Sequence, residues 1–354
     1  MRQRCVMRWR GMMPGLVLVM GMLTVWPSAG FGHTARTYYQ EALSALQAGE
    51  TERAKALLEK SLAEFSNFAD AHHLLGVLAF HTSAEDPQAI SALEHAVTLN
   101  PNFALAAYHL GLVLLHRHQW NAAERALTQA LAMYPRYWEA QLTLAKLHDQ
   151  SGKVEQAIRE YQAVLTLQPT QREALYNLAY RYEESGNIDE ALSLLQRLTT
   201  HHPQHASGWY LIGRLAEQKN SMTEALEAYR QAVAADPRHR DAQYHLAFLY
   251  QQAGKIDQAI EHFQAVTQLD PQNAEAYLNL GVLYVTNGQL SEAERAYLTA
   301  LDLNPDLLET YYNLGIFYEF HKQDLDKAIT YYRHYVELGG QDSRIRRLIE
   351  KFSE

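Results

Sequence analysis

Residues 274–305 contain two amphipathic helical patterns separated by a short turn. Leu280 and Tyr284 recur at the four-residue spacing that places apolar side chains on one face of a helix. Gly288 follows where the first helix should end in a left-handed residue, a conformation that glycine adopts without a Cβ penalty. Pro305 should end the second helix because proline lacks the backbone N–H. The pattern therefore predicts a helix–turn–helix unit.

Small residues allow the two predicted helices to approach closely. Gly281 in the first helix has no side chain, so a second helix can approach closely there, and Ala293 is the matching small residue on that second helix. Ser291 followed by Glu294 fits a capping box at the start of the second helix. Both features favour a tightly packed antiparallel helix pair.

The same unit recurs along the chain with a spacing of 34 residues, and we number its positions from Ala274 as position 1. Proline recurs at position 32, as Pro101, Pro135, Pro169, Pro203, Pro237, Pro271 and Pro305. Position 8 is always small: Ala42, Gly76, Gly111, Ala145, Ala179, Gly213, Ala247, Gly281 and Gly315. Position 20 is always alanine: Ala54, Ala89, Ala123, Ala157, Ala191, Ala225, Ala259, Ala293 and Ala328. This pattern resembles the tetratricopeptide repeat (TPR).

The resemblance implies an all-α protein, a right-handed superhelical solenoid of nine helix–turn–helix TPR units with a C-terminal capping helix. The repeats would span 35–68, 69–103, 104–137, 138–171, 172–205, 206–239, 240–273, 274–307 and 308–342. A solvating helix at 343–354 would follow, with Phe352 on its apolar side.

Two repeats carry an extra residue, which we place in the turn between their helices. In the second repeat Pro87 would begin the next helix, and in the ninth the turn lies around residues 321–324. Position 15 is glycine in five repeats, and His118 and Asn220 replace it as residues that tolerate positive φ.

Residues 1–32 differ from the repeats. Arg2, Arg4, Arg8 and Arg10 precede an apolar run at 11–26, which ends in small residues. This order is typical of a secretory signal peptide, so we expect an exported, periplasmic bacterial protein. The run is short for a membrane span, which needs about 20 residues. An uncleaved anchor of residues 11–26 in the inner membrane is the alternative, and an unused upstream start site is a third possibility.

Charge and cysteine content exclude several classes of function. The formal net charge is −9, so the basic footprint of a nucleic-acid-binding protein is absent and no nucleic-acid partner is expected. Cys5 is the only cysteine and precedes the apolar run, whereas a lipoprotein signal needs its cysteine after such a run. The chain beyond residue 32 therefore has no thiol for a disulfide, a nucleophile or a metal site.

The resemblance also indicates where a partner would bind. In TPR proteins the first helix of each repeat, here called helix A, lines a concave groove through positions 2, 5, 6, 9, 12 and 13. Position 5 is mostly tyrosine, which offers an apolar ring with a hydrogen-bonding tip. The candidate groove residues are Tyr108, His109, Lys146, Tyr176, Asn177, Tyr180, Tyr210, Arg214, Tyr244, His245, Phe248, Asn279, Tyr312 and Asn313. The alternative is that the tyrosines only brace neighbouring repeats.

Particular groove positions suggest how a peptide could be held. Asn177, Asn279 and Asn313 at position 6 resemble the asparagines that hold peptide backbone in the TPR arm of O-GlcNAc transferase, and an amide suits that task because it donates and accepts. Lys146 and Arg214 at position 9 would add cationic points. The lysines and asparagines by which chaperone-binding TPRs hold a C-terminal carboxylate are missing. An acidic patch of Glu173, Glu183 and Glu184 is expected to be a solvated face.

No motif for catalysis, phosphate binding or a metalloprotease occurs. The 17 histidines do not fall at metal-ligand spacing, because His201 and His205 lie on either side of Pro203, so we expect solvated or capping histidines and no metal or cofactor.

The sequence thus favours a non-enzymatic scaffold or adaptor that binds a protein or peptide partner in its groove. One rival is a regulatory or substrate-presenting arm of a separately encoded enzyme, and another is a self-assembling structural TPR protein that forms homo-oligomers.

Overall fold

The computed structural model describes residues 33–352, and within that range all regular structure is helical. The predicted signal peptide or anchor at 1–32 and the last two residues lie outside the described part. The described part of the chain divides into two compact units, 33–140 and 141–352. Each unit contains successive helix pairs whose two helices pack against each other. The all-α fold class with TPR-type packing is therefore confirmed.

The helices of the first unit are α1 (His33–Gln47), α2 (Thr51–Glu64), α3 (Ala69–Thr82), α4 (Pro87–Leu99), α5 (Ala104–His116) and α6 (Trp120–Met133). Helix α7 (Trp138–Gln150) contains the division between the units. The second unit continues with α8 (Val154–Leu167), α9 (Arg172–Glu184), α10 (Ile188–His201), α11 (Ala206–Gln218), α12 (Met222–Ala235), α13 (Arg240–Gln252) and α14 (Ile256–Leu269). It ends with α15 (Ala274–Thr286), α16 (Leu290–Leu303), α17 (Leu308–Ile316), α18 (Leu325–Glu337) and α19 (Ser343–Lys351). Odd-numbered helices up to α17 are the A helices, and their even-numbered partners are the B helices.

The core of each helix pair is built on the small residues that the sequence singled out. All nine alanines at position 20 are fully buried. Where position 8 is glycine, it faces the large residue at position 24 of helix B. At Gly213, for example, an added Cβ would lie 2.5 Å from Cε1 of the buried Tyr229 ring. The prediction of a close helix crossing at positions 8 and 20 is confirmed, because the large side chain of one helix fills the space left by the small residue of the other.

The turns and helix ends also follow the prediction. Gly288 adopts φ +76° after helix A, and His118 and Asn220 take the same left-handed conformation at φ 57° and 56°. Helix α16 ends at Leu303, two residues before Pro305. Pro87 is the first residue of α4, as expected. Position 15 thus reverses the chain, and position 32 stops helix B.

Three local predictions are wrong. Helix α16 begins at Leu290, so Ser291 lies inside its first turn and does not cap it with Glu294. The extra residue of the ninth repeat does not lengthen the turn, because helix A continues through a π-helical segment, Phe317–Lys322, which absorbs one residue within the helix. Phe352 does not extend the apolar side of α19, because it follows the end of that helix and is 47% exposed.

Candidate functional site

The A helices present the candidate groove residues on a surface that is only partly covered. In the first unit Tyr108 and His109 are half-buried on α5. In the second unit Phe248 on α13 is 42% exposed, and Arg214 on α11 is also exposed. The other candidates of the second unit are half-buried: Lys146, Tyr176, Asn177, Tyr180, Tyr210, Tyr244, His245, Asn279, Tyr312 and Asn313. The structure therefore leaves these side chains partly accessible to a partner.

In both units, aromatic rings at position 5 pack on the ring at position 34, which precedes the next A helix. The distances between ring centroids are 5.0 Å for Tyr39–Phe68, 4.8 Å for His73–Phe103, 4.9 Å for Tyr108–Tyr137, 5.1 Å for Tyr176–His205 and 4.9 Å for Tyr210–His239. These rings therefore brace the junctions between repeats, which was the alternative role for the tyrosines. Their edges that remain exposed are what a partner could contact.

Position 34 has a second role that sequence reasoning missed. In repeats four to seven it is polar, and its side chain caps the following A helix by accepting a hydrogen bond from the backbone N–H three residues on. The acceptors are Gln171 at 2.6 Å, His205 at 3.0 Å, His239 at 3.2 Å and Asn273 at 2.9 Å. His205 and His239 are thus capping histidines. A polar residue directly before each of these A helices could have revealed the cap.

The groove asparagines are partly used inside the chain. Asn177 donates from Nδ2 to the Tyr161 hydroxyl at 3.1 Å, and Asn279 donates to the Glu275 carbonyl at 2.9 Å. Each amide has a second N–H and a carbonyl oxygen. The two residues therefore have less capacity to hold a peptide backbone than their resemblance to the O-GlcNAc transferase asparagines implies.

The cations at position 9 are paired with carboxylates of neighbouring repeats. Lys146 contacts Glu173, and Arg214 lies 2.8 Å from Glu183. The side chain of Glu183 is only 11% exposed, so the expectation that it belongs to a solvated acidic face is wrong. Removal of Arg214 would leave a largely covered carboxylate without its partner, at a cost in stability. A substitution of Arg214 therefore cannot separate binding from folding.

Repeats six and seven meet in a cluster of aromatic and acidic groups. Glu217 accepts a 2.6 Å hydrogen bond from the Tyr229 hydroxyl, and His245 Nδ1 lies 3.1 Å from the same carboxylate. The His245 ring stacks on Tyr229 at 5.1 Å, with Tyr210 at its edge. Burial, and then the neighbouring Glu217, raise the pKa of the Tyr229 phenol, so it stays protonated and donates. This cluster fixes His245 and Tyr210 on the groove surface.

The first unit contains a histidine pair whose contact the sequence did not indicate, with His73 buried and the groove candidate His109 half-buried. Nε2 of His73 on α3 lies 2.7 Å from Nδ1 of His109 on α5, and the two rings stack at 5.0 Å. Burial lowers the pKa of His73 well below its usual range, and burial, followed by the nearby His81, lowers the pKa of His109 to about 4. The pair is therefore neutral at pH 7 and joins two A helices.

Residues 33–352 hold no cluster of three His, Cys, Asp or Glu side chains that converge as a metal site. No helix of the same range has the length and apolar character needed to span a bilayer.

Helix pairs with small residues at positions 8 and 20, a left-handed residue at position 15 and a proline stop define a helical-repeat protein of the solenoid class. The chain belongs to the tetratricopeptide repeat family. One tetratricopeptide repeat model matches residues 39–86 and 283–343. A second one matches residues 114–164 and 150–215. The model described as "Cytochrome c-type biogenesis protein H TPR domain" matches residues 188–307. Proteins of this fold generally mediate protein–protein interactions.

Solved structures agree on the fold. The C-terminal part of a TPR repeat-containing protein from Cytophaga hutchinsonii superposes with a TM-score of 0.57 at 16% identity, covering 67% of this chain and 97% of that one. PilF of Pseudomonas aeruginosa superposes with a TM-score of 0.50 at 25% identity, covering 58% of this chain and 92% of that one. The similarity to the first structure concerns the fold alone.

Proposed function

We propose that this chain is a non-enzymatic, exported scaffold that holds a segment of a partner protein on the A-helix face of its second unit. The observation that carries the proposal is the row at position 9, where Tyr180, Arg214 and Phe248 follow one another on α9, α11 and α13. Phe248 is 42% exposed, and a large apolar side chain beside polar groups is the mixture favoured at protein interfaces.

The arginine-rich start and apolar run of residues 1–32 support export to the periplasm. Anchoring in the inner membrane by residues 11–26 is the alternative setting. A partner protein in the envelope would then reach the A-helix face, and no catalytic group of this chain is needed for that role.

Truncation of the groove aromatics tests the proposal. The double variant Tyr180→Ala with Phe248→Ala should capture the native partner from an envelope extract at least tenfold less well, which corresponds to about 1.4 kcal/mol. The matched control is Met222→Ala with Leu298→Ala, since these B-helix side chains are 45% and 38% exposed. If the control abolishes capture while the groove variant retains it, the B-helix face is the working surface.

The rival roles give different results. A regulatory or substrate-presenting arm would co-purify with an enzyme whose turnover changes on its removal. A self-assembling protein would show a mass of several protomers by light scattering without any added partner. The described part of the chain offers no observation that favours either rival.

The family model matched by residues 188–307 suggests cytochrome c-type biogenesis as a second candidate setting. Its test is the content of c-type cytochromes in cells that lack this protein. Unchanged content would remove this setting and leave the scaffold role as it stands.

A further inference from the structure

The A-helix face of repeats five to eight, which we call the inner face, consists of positions 2, 5, 6, 9, 12 and 13 of α9, α11, α13 and α15. Its carboxylates are Glu173, Glu183, Glu184, Glu217, Asp241 and Glu275. Arg214 is the one lysine or arginine at these positions. The inner face thus combines aromatic rings with an excess of acidic side chains.

Four cations beside the inner face are engaged in ion pairs within the chain. Arg214 pairs with Glu183 at 2.8 Å. Arg181 lies 3.2 Å from Asp149 and 2.7 Å from Glu184. The remaining pairs are Lys146 with Glu173, and Arg240 with Asp241 at 2.9 Å and with Asp270 at 3.1 Å. An acidic ligand at any of these four cations would have to break an existing ion pair before it gained a new one.

The charges on this face do not cancel. With the partner carboxylates Asp149 and Asp270 included, eight carboxylates stand against four cations, Lys146, Arg181, Arg214 and Arg240, which leaves 4 − 8 = −4 with histidine neutral. Such a surface attracts cations and raises the rate at which a basic ligand arrives.

The carboxylates lie beside the rings that a ligand would touch. Tyr244 is hydrogen-bonded to Glu275, whose charge, after burial, raises the pKa of the phenol. Burial, and after it the charge of Asp241, raise the pKa of the Tyr210 phenol. A lysine or arginine side chain laid on such a ring gains from the ring face and from the carboxylate together.

We propose that the inner face binds a basic peptide segment of the partner protein. Its lysine or arginine side chains lie next to the carboxylates at positions 2, 12 and 13, and its apolar side chains cover Tyr180 and Phe248. This inference rests on the proposed function, because it specifies the chemistry of the segment that the same face would hold. Charge complementarity selects this occupant over an acidic or neutral segment.

Three soluble synthetic peptides test the inference. They share the same leucine and tyrosine residues and carry lysine, glutamine or glutamate at the positions between them. Binding to the full chain is measured by fluorescence anisotropy. We expect the lysine peptide to bind at least about tenfold more tightly than the glutamate peptide, and the difference to shrink as salt rises from about 0.05 M to about 0.5 M.

Charge-neutralising variants locate the effect on the chain. Glu184→Gln with Glu275→Gln should weaken the lysine peptide about fivefold or more and leave the glutamine peptide nearly unchanged. Glu190→Gln with Glu224→Gln on the B helices is the matched control, because it makes the same change in net charge at exposed positions. Thermal melting of each variant verifies that the fold persists.

The outcomes separate this inference from the proposed function. If all three peptides bind equally and Tyr180→Ala with Phe248→Ala weakens all of them, the preference for a basic peptide is wrong. The proposed binding of a partner on the A-helix face is then still supported. If Glu190→Gln with Glu224→Gln weakens lysine-peptide binding as much as Glu184→Gln with Glu275→Gln does, long-range charge explains the effect without a local contact, and the inference fails. It also fails if the lysine peptide does not bind. The inference is supported if lysine-peptide binding is weakened in Glu184→Gln with Glu275→Gln and not in the control variant.

Discussion

The hydroxyl of Tyr229 donates a 2.6 Å hydrogen bond to the carboxylate of Glu217 across one helix pair. The same connection between positions 24 and 12 recurs in the ninth repeat, where the Tyr332 hydroxyl donates to Glu319 at 2.5 Å. In each case the carboxylate also contacts a basic side chain of the following element, His245 or Arg344. The bond therefore links the core of each of these repeats to the helix that follows it.

Removal of the Tyr229 hydroxyl should reveal the value of this link. We expect Tyr229→Phe to lower the free energy of unfolding by about 1–2 kcal/mol, because the ring stays packed while Glu217 loses a donor. Tyr297→Phe is the matched control, since Val285 stands at position 12 of that repeat and offers no carboxylate. Urea unfolding followed by helical signal measures both. Equal losses in the two variants would show that the hydroxyl contributes nothing through Glu217.

Acid should weaken the first unit through His73 and His109. Their pKa values are lowered on folding, so the folded unit resists protonation. This destabilisation is absent above about pH 6.5, the unfolded value, and grows as pH falls toward about 4. His109 alone would contribute about 3 kcal/mol at the acid end, from the size of its pKa shift.

The double variant His73→Tyr with His109→Asn isolates this effect. It recreates in the first unit the hydrogen-bonded Tyr244–Asn279 pair of the second, and neither new side chain titrates near pH 6. The difference in stability between variant and wild type should widen between pH 7 and pH 4.5. A constant difference across that range would mean that the pair does not sense pH. His201→Asn, at an exposed helix end, provides the control.

Overpacking the helix crossing should destabilise the array. Ala191 at position 20 is fully buried, so Ala191→Leu should cost about 1–3 kcal/mol, because the added carbons must displace close-packed neighbours. Ser193→Leu on the exposed side of the same helix is the control. Ala54→Leu near the end of the array should disturb fewer repeats, since each repeat contacts only its neighbours. An unchanged urea midpoint for Ala191→Leu would contradict a close crossing at this position.

Export is expected from the arginines and the apolar run of residues 1–32. We predict a processed protein that begins near Phe31 or His33, in a cell fraction outside the cytoplasm. Mass spectrometry of the native protein measures the N-terminus. An intact chain in the membrane fraction would favour the anchor, and an intact soluble cytoplasmic chain would refute both versions.

The fold of this protein follows from local features of each repeat: the turn residue, the proline that ends a helix and the small residues between helices. Gly288 has no Cβ and therefore carries no penalty at positive φ. Pro305 cannot continue a helix. Ala293 is small because a neighbouring helix lies there. Each rule acts within one helix pair, and the regular spacing repeats it along the chain. The packing of helices and the position of the turns could therefore be predicted from the amino-acid sequence alone.

Contacts between repeats determine which of the candidate groove groups remain available. Spacing placed Arg214 and Asn177 on the correct helices, but their partners, Glu183 and Tyr161, belong to adjacent repeats. The same holds for His73 and His109, which lie 36 residues apart and meet because two A helices pack side by side. A local helical pattern does not predict such pairings, because they depend on how the side chains of one repeat pack against those of the next. The repeat pattern thus specifies the scaffold, and the tertiary packing specifies the chemistry of its surface.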